Sequence, residues 1–187
     1  MFIEPVHSEK IGWIEVICGS MFSGKTEELL RRLKRAQIAN LKVEIYKPEI
    51  DNRYGDAAIV SHDANKLTAT SVGHSSNIQL MLSDDVDVVA IDEVQFMDEN
   101  IIEVVEQLAI QGKRVIVAGL DMDYKCQPFG PMPQLLAKAD YITKLHAICV
   151  QCGNIANYSY RKTLEGPQVV LGAYDAYEPR CRQCYHK

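Results

Sequence analysis

The sequence predicts an α/β fold, in which a parallel sheet is flanked by helices, followed by a small cysteine-rich unit at the C-terminus. Short apolar runs alternate with helical patterns through most of the chain, which is the arrangement of folds built on a parallel sheet with right-handed crossovers. The run from Val86 to Ile91 is nearly continuously apolar, as in a strand that such a sheet buries on both faces. From Cys149 onward the chain is rich in Tyr, Gly and Cys and shows little helical periodicity.

The first part of the chain contains two predicted strands and a long helix. Trp13 to Cys18 is short and mostly apolar and is followed by Gly19, so we predict the first strand there. A helical pattern with basic residues between the apolar ones runs from Glu27 to Ala36. Lys42 to Tyr46 predicts a second strand. The stretch from Lys47 to Lys66 is largely polar and contains Pro, Asp, Asn and Gly, so we expect a flexible excursion there.

The alternation continues after this excursion. The third strand is predicted at Val86 to Ile91, a helix at Glu99 to Ile110, and a fourth strand at Arg114 to Ala118. Tyr141 to Leu145 adds one more strand before the cysteines begin, so we predict a domain boundary near His146, between residues 1–145 and 146–187. Ligands of such sheets bind at the carboxyl ends of the strands.

Composition limits the possible functions. A chain of 187 residues accommodates one domain plus a small appendage, and 47% hydrophobic with 24% charged residues is ordinary globular usage. The net charge of -5 disfavours nucleic acid and anionic membranes as partners, because both require clustered positive charge. The chain lacks a signal-peptide pattern and an apolar run of the ~20 residues that span a membrane, so we expect a cytoplasmic protein.

The first predicted strand leads into a phosphate-binding pattern, G-x-x-x-x-G-K-[ST], and a helix follows it directly. The glycines let backbone N–H groups and the positive end of the helix dipole approach phosphates. Lys25 would reach the β and γ phosphates, and the Thr26 hydroxyl would bind Mg²⁺. A chance Gly-rich turn is the alternative, and the correct flanking elements disfavour it. The pattern consists of Gly19, Ser20, Met21, Phe22, Ser23, Gly24, Lys25 and Thr26.

An acidic pair ends the third predicted strand. Asp92 has the position expected of the second Mg²⁺ ligand, although strands also end in solvated carboxylates that bind nothing. Glu93 is available to orient an attacking hydroxyl and accept its proton. The acceptor could be an alcohol, as in a kinase, or water, as in an ATPase, and the motifs alone leave both open.

Two Cys-x-x-Cys pairs, Cys149/Cys152 and Cys181/Cys184, have the spacing of a closed, tetrahedral and therefore structural Zn²⁺ site. A redox pair or disulfides are the alternatives, and a reducing compartment disfavours disulfides. Zinc ribbons also bind nucleic acid, but basic and acidic residues alternate between the two pairs without forming a basic stripe. The tyrosines of this stretch could stack on a base or form the core of the small unit.

Several segments, in chain order, resemble the cytosolic (type II) thymidine kinases, and the resemblance covers the chain from about residue 13 to its end. The segments are the phosphate loop with its Met-Phe-Ser stretch, Asp92-Glu93-Val94-Gln95-Phe96, Gly119-Leu120-Asp121, Pro128-Phe129-Gly130, and Ala173-Tyr174-Asp175-Ala176-Tyr177 leading to Cys181-Arg182-Gln183-Cys184. The fold implied is a P-loop NTPase-type parallel sheet flanked by helices plus a small C-terminal zinc-binding lasso domain, in which four cysteines hold the zinc.

The resemblance also implies an activity, which is transfer of the γ-phosphoryl group of ATP to the 5′-hydroxyl of thymidine or deoxyuridine, in nucleotide salvage for DNA synthesis. Glu93 would be the catalytic base, with Mg²⁺ at Thr26 and Asp92 and structural Zn²⁺ at the four cysteines. A homotetramer and inhibition by dTTP are implied as well. Nucleotide contacts beyond the phosphate loop are implied for Asp51, Arg53, Asp92 and Gln95. Nucleoside contacts are implied for Met21, Phe96, Leu120, Tyr124, Phe129, Gln168, Val169, Val170, Leu171, Gly172 and Tyr177.

Two other functions stay open on the sequence. One is a phosphate-loop ATPase or regulatory switch whose zinc module binds protein or nucleic acid. The other is a structural zinc protein with a vestigial phosphate loop, which is disfavoured because Lys25, Thr26, Asp92 and Glu93 are all intact.

Overall fold

Six parallel strands form the central sheet in a computed structural model, which describes residues 11–51, 58–60, 66–162 and 176–187. The strands are β1 (Trp13–Gly19), β2 (Val43–Pro48), β3 (Ala58–Val60), β4 (Lys66–Thr68), β5 (Thr70–Val72), β6 (Val88–Ile91), β7 (Arg114–Gly119), β8 (Tyr141–Leu145), β9 (Ala147–Ile148), β10 (Ile155–Ala156), β11 (Tyr158–Arg161) and β12 (Tyr177–Arg180). The helices are α1 (Lys25–Ile38), α2 (Ser76–Met81), α3 (Ile101–Ile110), α4 (Met132–Lys138) and α5 (Arg182–Tyr185), and Val94–Phe96 forms a 3-10 turn.

The sheet has the strand order β5-β2-β6-β7-β1-β8, and every neighbouring pair in it is parallel. The predicted α/β fold with a parallel sheet is therefore confirmed. The predicted strands are present with small differences at their ends, for example β6 begins at Val88 instead of Val86. Strands β1 and β6 flank β7, so the loops after all three reach the same edge of the sheet.

Helices cover both faces of the sheet. Apolar residues of α1 pack with the side chains of Ile17, Ala90 and Ile116 on one face. Residues of α2, α3 and α4 pack with alternate residues of the same strands on the other face. The near-continuous apolar runs of β6 and β7 follow from this burial on two sides.

The stretch from Lys47 to Lys66, predicted as a flexible excursion, includes strand residues where the structure describes it, and residues 52–57 and 61–65 lie outside the described ranges. Strand β2 continues through Pro48, and β3 pairs antiparallel with β4. Strands β3, β4 and β5 have three residues each, which is too short for a period-two pattern to be recognised. Helices α2 and α4 are also short and were not predicted.

Two small antiparallel pairs follow the sheet. Strand β8 ends at Leu145, and β9 begins at Ala147 and pairs with β10, while β11 pairs with β12. The change from a parallel sheet to small antiparallel pairs lies at the predicted boundary near His146, and the division into two domains stays a prediction. No helix in the described ranges has the length and apolar character needed to cross a membrane.

A buried ionic network joins β1, α1 and β7 near the amino ends of the strands. Both carboxylate oxygens of Glu15 accept charge-assisted hydrogen bonds, from Arg32 Nη1 at 2.6 Å and from Arg114 Nε at 2.6 Å. Trp13 Nε1 donates to the same carboxylate at 2.8 Å, and Arg32 Nη2 donates to Thr143 Oγ1 on β8 at 2.8 Å. Four elements are thus held together at the end of the sheet opposite the phosphate-binding loop.

Candidate active site

The candidate site lies at the carboxyl edge of the sheet. The phosphate loop follows β1, Asp51 lies beyond β2, Asp92 and Glu93 follow β6, and Leu120 follows β7. These positions are far apart in the chain and adjacent in space because parallel strands present their carboxyl ends at one edge.

The phosphate loop has the geometry that its sequence predicts. Gly19 and Gly24 have φ values of 146° and 85°, and a Cβ on Gly19 would lie 2.3 Å from the carbonyl oxygen of Leu145. Helix α1 begins at Lys25, so its N-terminal N–H groups face the loop. Lys25 Nζ donates to the carbonyl oxygen of Ser20 at 2.9 Å. The loop is thus wrapped around a lysine and a helix N-terminus, which together favour an anion.

Asp92 connects the phosphate loop to β6. Thr26 Oγ1 donates to Asp92 Oδ2 at 3.3 Å. Burial raises the pKa of Asp92 to about 7, and the nearby negative charges of Glu93 and Asp51 act in the same direction. A hydroxyl and a buried carboxylate in a negative environment are oxygen ligands of the kind that Mg²⁺ prefers, and a divalent cation would offset the excess negative charge.

Glu93 has an unusual backbone. Its φ of 50° lies in the left-handed region, which is uncommon for a residue other than glycine and is concentrated at functional sites. Its backbone N–H donates to Asp92 Oδ1 at 3.0 Å, and its carboxylate accepts from Gln95 Nε2 at 2.5 Å. The two adjacent carboxylates therefore have separate hydrogen-bond partners.

Aromatic residues lie beside these carboxylates. Phe96 and Phe129 meet edge to face with ring centroids 5.5 Å apart. The guanidinium of Arg161 lies over the ring of Tyr124 at 4.9 Å, and the Tyr185 hydroxyl donates to the Tyr124 carbonyl oxygen. The loop after β7 thus lies between the 3-10 turn and the C-terminal segment, a name used here for the described residues after Leu145.

The four cysteines predicted to bind metal are brought together. Their sulfur atoms all lie within 4.8 Å of one another, and the Sγ atoms of Cys152 and Cys181 are 3.6 Å apart. Tetrahedral Zn²⁺ with four Zn–S bonds of about 2.3 Å requires sulfur separations of roughly 3.8 Å, so the donor set and its spacing fit this ion. All six cysteines are thiols rather than disulfides.

The cysteine cluster also contacts the phosphate loop, which the sequence did not reveal. Phe22 packs against the small core formed by Ala147, Ala156 and the cysteines. The backbone N–H of Met21 donates to Ser159 Oγ at 3.0 Å, and Ser159 is buried. Two consecutive residues of the loop are therefore held by the C-terminal segment.

The structure brings together Glu93, Asp92, Asp51, Gln95, Leu120 and the phosphate loop, and the roles assigned to these residues stay predictions. Tyr177 is buried at the start of β12 and pairs with Arg161 of β11. Arg53 and the segment 168–172 lie outside the described residues. Sequence reasoning missed Ser159 and Arg161, because a single serine or arginine in a short strand carries no motif.

The fold and the site define a phosphate-loop nucleotide-binding protein with a structural four-cysteine cluster. A family model described as thymidine kinase matches residues 12–185, so the chain belongs to the thymidine kinase family. It is 59% identical to a thymidine kinase of Porphyromonas gingivalis over 187 residues, which are 99% of this chain and 91% of that protein. It is 58% identical to one of Rhodothermus sp. over 188 residues, which are 99% of this chain and 88% of that protein.

Among solved structures, a genome packaging NTPase of Sulfolobus turreted icosahedral virus 2 shows a partial likeness. Its TM-score is 0.47 at 14% identity, covering 75% of this chain and 76% of that one. A likeness this loose supports no conclusion about function.

Proposed function

We propose that this protein transfers the γ-phosphoryl group of ATP to the 5′-hydroxyl of thymidine, or of deoxyuridine. The observation that carries the proposal is the contact between Thr26 and Asp92, because it joins the phosphate loop to the strand end that also bears Glu93. Membership of the thymidine kinase family and the names of the relatives support the choice of nucleoside. A water-activating ATPase or regulatory switch has no comparable support.

The nucleotide side of the site consists of the phosphate loop with Asp51, Arg53 and Asp92. Lys25 and the N-terminus of α1 would neutralise the phosphate oxygens, where negative charge increases during transfer. Mg²⁺ would be held by Thr26 and Asp92, and it supplies charge neutralisation on the phosphates when bound.

Glu93 is the proposed general base. As the 5′-oxygen forms its bond to the γ-phosphorus, the O–H bond breaks and the proton passes to the Glu93 carboxylate. The bond between the γ-phosphorus and the bridging oxygen breaks, and ADP leaves. The position of Glu93 one residue after Asp92, with its own hydrogen-bond partner, supports a role separate from metal binding.

The nucleoside side is proposed to include aromatic and backbone groups around Glu93. Phe96 and Phe129 form an apolar wall that suits a pyrimidine and its sugar. The other proposed nucleoside contacts come from the phosphate loop, from the loop after β7 and from the chain after Leu145. They are Met21, Leu120, Tyr124, Tyr177 and the residues 168–172, the last of which lie outside the described ranges.

The four cysteines are proposed to hold Zn²⁺ in a closed structural site. Such a site adds folding free energy to a segment whose own core is very small. Residues 146–187 would then form a separate zinc-binding domain, with residues 1–145 as the ATP-binding domain. A cytoplasmic location, a homotetramer and inhibition by dTTP are proposed on the family resemblance alone.

Measurement of ADP release with ATP and Mg²⁺, together with direct detection of dTMP, tests the proposal. We expect turnover that depends on added thymidine or deoxyuridine and is absent with purine nucleosides. ATP hydrolysis without nucleoside, or hydrolysis stimulated by single-stranded DNA instead, would replace the kinase assignment with the ATPase or switch.

A further inference from the structure

The side chain of Gln95 lies between the proposed base and the end of β7. Its Nε2 donates to Glu93 Oε2 at 2.5 Å, and its Oε1 accepts from the backbone N–H of Leu120 at 3.0 Å. Gln95 is 3% exposed, whereas Glu93 and Leu120 are half-buried, so both contacts are partly shielded from water. One carboxamide thus spans the ends of two neighbouring strands, β6 and β7.

The two hydrogen-bond partners determine which end of this carboxamide is the oxygen and which is the NH₂ group. A backbone N–H can only donate, so the group facing Leu120 must be the Gln95 oxygen. The NH₂ group must then face Glu93, where it can donate only if the carboxylate offers an acceptor. The assignment of oxygen and nitrogen therefore follows from the network and excludes the flipped arrangement.

Two glycines leave room for Gln95. A Cβ on Gly119 would lie 2.7 Å from Gln95 Oε1, and a Cβ on Gly130 would lie 2.3 Å from the backbone oxygen of Gln95. Gly130 also has a φ of 49°. The observed positions of the Gln95 backbone and carboxamide therefore require glycine at both neighbouring sites.

We infer that Gln95 is a positioning residue that aims the Glu93 carboxylate at the acceptor hydroxyl. This inference rests on the proposed function and differs from the nucleotide contact that the family resemblance implies for Gln95. One donor hydrogen of the carboxamide is engaged with the Glu93 carboxylate and one oxygen lone pair with the Leu120 N–H, and the inference concerns the contact with Glu93.

The need for such a residue follows from the backbone of Glu93. Glutamate has three rotatable side-chain bonds, and Glu93 is half-buried at the end of a strand, where it has a left-handed backbone. A base must lie within hydrogen-bond distance of the hydroxyl in the correct direction, and a displacement of about 1 Å can reduce turnover by about a hundredfold. The buried donor of Gln95 supplies this restriction.

Gln95→Met removes the contact with Glu93 without adding charge. It keeps the approximate length of the side chain and removes both the donor to Glu93 and the acceptor for the Leu120 N–H. We expect kcat to fall by roughly tenfold to a hundredfold, while the KM for thymidine and the Kd of a fluorescent ATP analogue stay within about twofold. Gln107→Met is the matched control, because Gln107 donates to Glu103 at 2.8 Å on the exposed surface of α3.

A double-mutant cycle with Glu93→Gln distinguishes positioning from direct binding. If Gln95 acts through Glu93, adding Gln95→Met to Glu93→Gln lowers kcat no further. An equal loss of kcat in both backgrounds, or a loss of nucleotide affinity in place of turnover, overturns the inference. Failure of the proposed function itself would be visible separately, as wild-type protein that forms no dTMP.

A second measurement avoids any change at Gln95, in case its variants do not fold. In isotope-labelled wild-type protein, the side-chain amide protons of Gln95 should show slow exchange and a chemical shift typical of a strong hydrogen bond. Glu93→Ala should remove both features while the backbone spectrum stays folded. Unchanged Gln95 amide resonances in that variant would contradict the inference.

Discussion

Asp92 and Glu93 are adjacent carboxylates with different surroundings. Asp92 continues from a buried strand, contacts Thr26 and has a pKa raised to about 7 by burial and by nearby negative charge. Glu93 is turned away by its left-handed backbone and is held by Gln95. The local backbone thus gives two residues of the same chemical class different partners, which supports the separate roles proposed for them.

Glu93→Gln should lower kcat by roughly 10²–10⁴, which is the usual contribution of a positioned base, while leaving the binding of ATP and thymidine nearly unchanged. The side chain keeps its size and loses only the ability to accept the proton. Steady-state kinetics with isothermal titration of both substrates measures the two effects. A variant with wild-type turnover would exclude Glu93 from the chemistry.

Asp92→Asn should stabilise the nucleotide-free and magnesium-free protein increasingly as the pH rises. The folded-state pKa of Asp92 is raised, so the stability linked to its proton is complete below the unfolded pKa of about 4 and is lost as the pH rises through about 7. Asparagine does not titrate, so its advantage over aspartate should grow by at most about 1.4 kcal/mol for each pH unit in this window.

Urea unfolding at pH 5 and pH 8 measures this difference for Asp92→Asn. The exposed Asp84 serves as the control through Asp84→Asn, the same substitution at a surface position. An Asp92→Asn effect of the same size at both pH values would mean that the Asp92 carboxylate is not held in a proton-retaining site.

The phosphate loop is held by elements from both ends of the chain. Strand β1 and helix α1 fix its two ends, while Ser159 of β11 and the cysteine cluster hold Met21 and Phe22 in its middle. Phe22 has a φ of 64°, a left-handed conformation that costs free energy and has to be offset by packing. The residues after Leu145 therefore help to fix the conformation of the phosphate loop, which is the proposed nucleotide site.

Ser159→Ala should weaken ATP binding by roughly three- to tenfold, because the Met21 N–H loses a hydrogen-bond partner at a partly buried position. The protein should otherwise fold normally, since serine and alanine differ by one oxygen. Titration with a fluorescent ATP analogue measures the affinity, and Ser76→Ala on the exposed start of α2 provides the control. An unchanged affinity would show that the phosphate loop does not depend on this contact.

Cys149→Ser should loosen the cysteine cluster and raise both the KM for thymidine and the Kd for ATP. We expect the Kd for ATP to rise because Phe22 of the phosphate loop packs against the cluster. If the cluster affected only nucleoside binding, the Kd for ATP would not change. Metal content and nucleotide affinity are measured together, with Cys126→Ser, outside the cluster, as the control. Retention of normal affinities in metal-depleted protein would contradict this role of the cluster.

The candidate site and the buried ionic network lie at opposite ends of the strands of the sheet. The carboxyl edge of the sheet carries the acidic residues, the left-handed backbone and the loops, whereas the amino ends carry the network of Glu15, Arg32 and Arg114. Glu15 is fully buried and both arginines are nearly so. The network joins the sheet to α1 without contacting the phosphate loop.

Glu15→Gln should lower the free energy of unfolding by roughly 3–5 kcal/mol, because it removes the buried carboxylate that Arg32 and Arg114 share, although Arg32 keeps its ion pair with Glu28 at 2.8 Å. For a chain of this size, that corresponds to a fall in Tm of roughly 6–20 °C. Substrate KM values should stay unchanged below the new Tm, since the network lies at the opposite end of the strands. Differential scanning fluorimetry and kinetics at about 20 °C measure both, with Glu103→Gln on the surface of α3 as the control.

Much of the fold could be predicted because its signals are local in the sequence. Burial in a parallel sheet produces the apolar runs of β1, β6 and β7 and the periodic pattern of α1. The phosphate-loop pattern places glycines where the backbone must approach a triphosphate closely. The spacing of Cys149, Cys152, Cys181 and Cys184 likewise specifies a four-sulfur site. Three-residue strands such as β3 and β5 escaped prediction because they are too short to show a period.

The sequence by itself therefore determined the fold class, the phosphate loop, the pair Asp92-Glu93 and the cysteine cluster, since each depends on neighbouring residues or on a fixed spacing. Tertiary structure alone decided that Ser159 holds Met21 and that Gln95 spans Glu93 and Leu120. These partners are brought together only when β7 lies between β1 and β6 and the C-terminal segment packs on the phosphate loop. A contact between residues distant in the chain leaves no local pattern, because it depends on how the elements pack and not on the order of residues within them.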